Sequence, residues 1–254
     1  SKLQTFNLIA PLSEDKVLQV LNTDASSSSD YLKTIEICLN SEQNHFFLLQ
    51  NSLKHFPNLT TISLKTDHVP SEWGLPVSLF ASMPLKNLKL ESSIQEIDDL
   101  KHLGLMIRNS PGLKGLILKI RNKKAIDFTL NNCFEDFFMN ISQLTQLEKM
   151  KIYFTLLFHE KIKQKKTNRF ISHLSSCVTR LENLKELSFR FGEANFIQEV
   201  SELTESLKPK SLQMKKLKIN FSSERMQSQK MLDFFALLTK MKNLESLALD
   251  SLYF

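Results

Sequence analysis

The chain has 254 residues, of which 42% are hydrophobic and 24% charged, and its formal charge is +6. That balance excludes an intrinsically disordered protein, and no stretch approaches the ~18 consecutive apolar residues that a membrane-spanning helix needs. Five glycines leave little material for loops that cradle phosphates. The opening SKLQTFNLIAPLSED shows no secretory signal and no initiator methionine, so a processed or trimmed start is expected. Cys38, Cys133 and Cys177 stand far apart and odd in number. They predict neither a disulfide framework nor a zinc ribbon, but reduced thiols in an intracellular, cytoplasmic protein. Three Asn-x-Ser/Thr triplets, at Asn58, Asn140 and Asn220, read as chance occurrences in an Asn- and Ser-rich chain.

One motif, apolar-x-x-apolar-x-apolar, recurs from end to end. In chain order it is Leu3-Phe6-Leu8, Leu32-Ile35-Ile37, Leu59-Ile62-Leu64, Leu85-Leu88-Leu90 and Leu113-Leu116-Leu118. It continues as Leu147-Met150-Ile152, Leu184-Leu187-Phe189, Met214-Leu217-Ile219 and Leu244-Leu247-Leu249. The second apolar residues step by 29, 27, 26, 28, 34, 37, 30 and 30. The last two apolar positions are two apart, so both point to one side of a short strand.

Between the strands the apolar spacing turns helical, and it predicts helices within 41–56, 93–109, 131–144, 195–208 and 228–241. Ser41, Ser93 and Asn195 are placed to cap three of them. A strand–helix unit of this size cannot bury its apolar side alone, so neighbouring units must stack. A doubly wound α/β domain also alternates strands and helices. Its strands would be apolar on both faces, whereas Leu85-Lys-Asn-Leu-Lys-Leu90 keeps one face wet.

With these nine motifs the chain resembles the leucine-rich repeat family, most nearly its ribonuclease-inhibitor-like subclass. The resemblance covers residues 3–249. It implies an α/β solenoid of about nine repeats, a horseshoe with a parallel sheet on the concave face and helices on the convex one. The family's turn asparagine is matched at Asn40 alone; Asp67, Ser93, Arg121, Thr155, Gly192, Ser222 and Leu252 hold the equivalent places. Irregular turns are therefore expected. Residues 1–254 read as a single solenoid. Its uncapped ends suggest a segment of a longer protein, or a chain capped by a partner.

No nucleotide-binding, metalloprotease or serine-hydrolase motif occurs, and no cofactor or metal is expected. His159-Glu160 reads as a chance acid–imidazole pair. His173 and Cys177, four apart on one helical face, could in principle form a thiolate pair, but a buried cysteine beside a solvated imidazole is preferred. No enzyme is predicted from this chain.

The positions between the leucines carry more. The resemblance places them on the concave face, where basic residues outnumber acidic ones by thirteen to six. Partner binding there is assigned to Lys89, Lys119, Lys149, Lys151, Tyr153, Arg190, Lys216 and Lys218. The two longest repeats carry further basic runs: Arg121, Lys123 and Lys124, then Lys161, Lys163, Lys165, Lys166 and Arg169. Extra residues in a solenoid emerge on one rim, so these form a second expected contact. The leading expectation is a scaffold or adaptor that binds an acidic protein partner within a larger complex. A cytoskeletal or ciliary assembly is one setting for it. A ribonucleoprotein subunit contacting nucleic acid, or the repeat domain of a larger enzyme, are the alternatives. No membrane partner is expected.

Overall fold

The computed structural model describes residues 4–12, 31–39, 53, 55–66, 83–96, 98–122, 133–155, 167–191, 200–221 and 229–251. Its strands are β1 (Thr5–Leu12), β2 (Thr34–Leu39), β3 (Thr61–Thr66), β4 (Asn87–Ile94) and β5 (Gly115–Asn122), then β6 (Lys149–Thr155), β7 (Glu186–Phe191), β8 (Lys216–Phe221) and β9 (Ser246–Ser251). They form one open sheet in chain order, and every neighbouring pair is parallel. The described helices are α1 (Asp98–Arg108), α2 (Cys133–Ile141), α3 (Thr167–Arg180), α4 (Val200–Leu207) and α5 (Gln229–Leu238). Each packs against the next, forming a second layer. This is the solenoid that the repeat implies. Packed helices sit about 8–10 Å apart and strands about 4.8 Å, so the sheet takes the inside of the bend.

Sequence register becomes spatial register. The second apolar residues pair across all of β2–β9, from Ile35↔Ile62 and Ile62↔Leu88 to Leu217↔Leu247. The backbone enforces this at one carbonyl per repeat. Gln4 O accepts the N–H groups of Lys33 and Thr34, and Lys33 O accepts those of Thr60 and Thr61. The same double acceptance repeats through Thr60, Lys86, Lys114, Glu148, Lys185 and Lys215, ending on the N–H groups of Glu245 and Ser246. Side-chain amides tie the turns together one residue before the motif. Asn183 Nδ2 donates to Thr145 O at 2.8 Å, Gln213 Nε2 donates to Leu184 O at 3.2 Å, and Asn243 Nδ2 donates to Leu212 O.

Behind β6 the core turns aromatic. Phe154 meets Phe134, Phe137 and Phe170 edge-on, with ring centroids 5.6–5.9 Å apart. Phe138 adds a contact to Phe170 at 5.2 Å. This knot fills the space between β6, α2 and α3, where the longest repeats need the most volume.

One expected boundary is corrected. The segment 93–109 does not open a helix at Ser93, because β4 continues to Ile94 and α1 begins at Asp98. Ser93 is buried in the strand, since Ser92, Ser93 and Ile94 all pack inward at its end. The turn is closed instead by the Asp99 carboxylate, which accepts the N–H groups of Gln95 at 2.8 Å and Glu96 at 3.1 Å. Helix α2 lies inside the expected 131–144, α4 inside 195–208 and α5 inside 228–241. Most of 41–56, with Ser41, and also Asn195 lie outside the described residues.

The core is uniform along the array until its last strand. Leu187 and Leu217 are each 1% exposed, whereas Leu247 in the same row is 45% exposed. Leu187→Asp or Leu217→Asp should therefore abolish cooperative unfolding, because an unpaired carboxylate enters the core. Leu247→Asp should cost about 1 kcal/mol or less, as its site is already half wet. Thermal melts followed by circular dichroism distinguish the two; equal loss at both positions would refute the assigned register.

Candidate functional site: the open face of the sheet

Strand alternation sends the residues between the leucines outward, and the shared register stacks them in rows. One row runs Thr34, Thr61, Asn87, Gly115, Lys149, Glu186, Lys216 and Ser246. The next runs Glu36, Ser63, Lys89, Ile117, Lys151, Ser188, Lys218 and Ala248. A third carries Lys65, Glu91, Lys119, Tyr153 and Arg190.

Within these rows most of the predicted basic groove is neutralised. Glu91 lies between Lys65 at 3.5 Å and Lys119 at 3.4 Å. Glu186 lies between Lys149 at 3.6 Å and Lys216 at 3.2 Å. Glu148 takes Lys185 at 2.8 Å and Lys114 at 3.5 Å, Glu36 takes Lys89 at 3.3 Å, and Glu245 takes Lys215 at 3.1 Å. Counting charges along the sequence missed this pairing, because partners 26–53 residues apart become neighbours only through the register.

The carboxyls respond accordingly. At Glu36 the Ser63 hydroxyl, donating at 3.0 Å, is the main influence and Lys89 adds to it; at Glu148 the main influence is Lys185. At Glu91 and Glu186 partial burial is the largest single influence and works upward. The flanking ammoniums together outweigh it, led by Lys119 at Glu91 and Lys216 at Glu186. All four carboxyls sit below their ordinary value of 4.5.

Part of what the ladder leaves over lies on β6 and β7, where Lys151 acts on Glu186 only at longer range. Among the described residues, Lys151 and Arg190 have no carboxylate within ion-pair distance. Lys151 and Lys218 flank Ser188 in one row. Ser188 is 5% exposed, and its hydroxyl meets the Tyr153 hydroxyl at 3.1 Å. These groups, with Glu186, Lys216 and Ala248, line a hollow of about 130 Å³. Arg190 is the register neighbour of Tyr153 at its edge. A larger groove of about 450 Å³ lies over the turns, lined by Lys185, Gln213, Lys215, Asn243 and Glu245 among others. There Lys185, Lys215 and Glu245 already serve ion pairs, and Gln213 and Asn243 serve the turns.

Of the residues assigned to the concave face, Lys151, Tyr153, Lys216 and Lys218 come together at the hollow, with Arg190 beside it. Lys149 reaches the same site only through Glu186. Lys89 and Lys119 are committed to Glu36 and Glu91 on the earlier strands. Ser188 was missed, although a small hydroxyl residue between two lysines of one row is a signal that the aligned motifs contain.

On the rim, Arg121 is corrected from loop to strand. Burial of Ile120 extends β5 to Asn122, and Arg121 Nε donates to Ser93 Oγ at 3.0 Å. Lys123, Lys124, Lys161, Lys163, Lys165 and Lys166 lie outside the described residues, and Arg169 falls in the first turn of α3. The segments after β5 and β6 leave from adjacent strand ends, since Arg121 pairs with Thr155.

The other chemistry is structural. Burial pushes the Cys177 thiol far up and the Cys133 thiol up to about 11, so neither is poised as a thiolate. Asn140 is buried inside α2, where it donates to Asp136 O at 2.8 Å, so its triplet is not an accessible glycosylation site. Asn40, His159 and Glu160 lie outside the described residues. Among the described residues no His, Cys, Asp or Glu cluster could hold a metal ion, and no helix is long and apolar enough to cross a membrane.

No family model matches the sequence, and no curated protein matches it either. Among solved structures it is similar to the tropomodulin C-terminal domain of Caenorhabditis elegans, at 16% identity and a TM-score of 0.40, over 67% of this chain and 96% of that one. So loose a superposition carries no argument here; the fold rests on the chain's own strands and register.

The ion-pair ladder has a pH signature. A carboxyl whose folded value is depressed stabilises the fold fully above its unfolded value, and that contribution is lost as pH falls through the folded value. Melting temperature should therefore be flat between about pH 8 and pH 5 and should fall steadily below about pH 4.5. Glu186→Gln, which leaves Lys149 and Lys216 facing each other, should lower it at pH 7 and shrink the acid-dependent fall. An unchanged acid limb in that variant would show that the Glu186 pair is only decorative.

Proposed function

We propose that this chain is a non-enzymatic interaction scaffold, a divergent leucine-rich repeat solenoid of the ribonuclease-inhibitor-like kind, which takes an acidic segment of a protein partner on the open face over β6–β8. One observation carries the reading: Lys151 and Arg190, on the adjacent strands β6 and β7, have no carboxylate within ion-pair distance among the described residues, and Lys151 lines a hollow that Lys216 and Lys218 also line. One-sign clefts with low-dielectric walls draw counter-charged ligands and raise association rates. The ends of β5 and β6 are neighbours, and the basic residues that follow each in sequence would add electrostatic steering. A cytoplasmic assembly, cytoskeletal in kind, would supply such acidic segments.

Nucleic acid is the weaker reading. A strand of phosphates needs a continuous cationic track and aromatic platforms for its bases. Here Glu148 and Glu186 interrupt the track, and Tyr153 is the one aromatic side chain in the hollow.

Fluorescence anisotropy with a labelled polyglutamate peptide tests the proposal. The triple variant Lys151→Glu, Arg190→Glu, Lys218→Glu should weaken binding by roughly tenfold or more, since several charges act together in one groove. The control Lys33→Glu with Lys86→Glu, on the same face but distant, should change it by about threefold at most. Equal losses would reduce the face to a non-specific cationic surface. Tighter binding of a single-stranded oligonucleotide, with a steep salt slope, would favour the nucleic-acid reading instead.

A further inference from the structure

The groove over the turns holds three side chains that neither the ion pairs nor the turn amides use: Leu212, Lys242 and Leu244. Leu212 is 65% exposed. It stands two residues before its motif, and the equivalent places in the flanking repeats hold Glu182 and Lys242, charged residues suited to water. A leucine exposed alone needs no explanation. This one walls a concavity of about 450 Å³ whose other apolar wall, Leu244, is only partly buried against the core. Among the described residues Lys242 has no carboxylate within ion-pair distance. The groove is also preformed, because the Gln213 and Asn243 side chains tie its turns together through Leu184 O and Leu212 O.

Groove and hollow are continuous. Lys215 and Glu245 line the groove, while the residues that follow them, Lys216 and Ser246, line the hollow. Leu212 and Lys218 are six residues apart in the chain, at most about 20 Å when extended, so one short extended segment can occupy both.

We propose that the groove seats a large apolar side chain of the same acidic partner segment that the open face takes up, an inference that rests on the reading above. Ion pairs on an exposed face contribute little each, so an acidic run held by lysines alone would bind weakly. Interfaces draw most of their affinity from a few anchors seated in pockets. Between Leu212 and Leu244 the groove offers such a pocket, and Lys242 beside it favours an anchor with a carboxylate next to it in the chain. The partner class is therefore an acidic segment flanked by a bulky apolar residue, not an acidic tail alone. A nucleic acid has no such side chain to place there.

Two peptides of equal charge test it by anisotropy against the whole chain: a glutamate run flanked by glycines, and the same peptide with one phenylalanine in each flank. The phenylalanine peptide should bind about tenfold tighter, the gain from taking one ring out of water. Leu212→Ser, at a site already wet enough to leave the melting temperature in place, should shrink that ratio to about threefold or less. Leu232→Ser removes a leucine 59% exposed on α5 and outside the groove, and should leave the ratio as it was. Equal affinity for the two peptides, or a preference that survives Leu212→Ser, would overturn the groove while leaving the acidic-segment reading intact. A preference lost equally in both leucine variants would mark general stickiness and overturn it as well. Failure of either peptide to bind would overturn both readings. Self-association of the chain in sedimentation velocity, abolished by Leu212→Ser, would assign the groove to a second copy and overturn the proposal.

Discussion

Everything on this molecule's open face depends on one backbone arrangement: a carbonyl that accepts two N–H groups from the following repeat, eight times in succession from Gln4 to Lys215. The doubled acceptance locks register at the same motif position in every repeat. Parallel strands joined by crossovers have no hairpin turn to set their register, so this contact and the leucine rows must do so. Once they do, residues far apart in sequence become permanent neighbours, and the face is a lattice of rows.

Charge behaves differently on such a lattice than along a chain. A glutamate in a row has a lysine on each side within about 4.8 Å of backbone, so it serves two cations. Glu91, Glu148 and Glu186 each do this. Exposed pairs of this kind are each worth little. Their larger consequence is spatial, because they neutralise Lys65, Lys89 and Lys119 on β3–β5 while Lys151 and Arg190 on β6 and β7 keep no carboxylate within ion-pair distance.

The solenoid was legible in the sequence because burial repeats there: Leu88, Leu116, Met150 and Leu187 are interchangeable members of one inward row. Burial also continues past the motif, alternating through Ile120 and Asn122 on β5 and unbroken through Ser92, Ser93 and Ile94 on β4, which is why both strands overran the expected boundaries at Ser93 and Arg121. The family's turn amide was sought after the strand, yet Asn183, Gln213 and Asn243 supply a comparable service one residue before the motif. The site was only half legible. Its lysines stood out by composition, but which of them stay uncompensated depends on which glutamates the register delivers. Single-sequence counting does not see that pairing. Aligning the nine motifs in columns would have.

The placement of the hollow also follows from packing. On β6 the side chains alternate, so Tyr153 faces out while Phe154 faces into the aromatic knot. Edge-on ring pairs contribute about 0.5–1.5 kcal/mol each beyond their buried area, and Phe154 makes three. The strand bearing Lys151 and Tyr153 is thereby held from behind more firmly than a leucine-only repeat would hold it. In a quasi-one-dimensional array each repeat is stabilised only by its neighbours, so the final strand, with Leu247 half exposed, is the poorer platform. A preorganised ligand site loses least on binding when its donors are already fixed. The interior strands β6–β8, backed by the phenylalanines and locked by the carbonyl ladder, are where this fold can supply that rigidity.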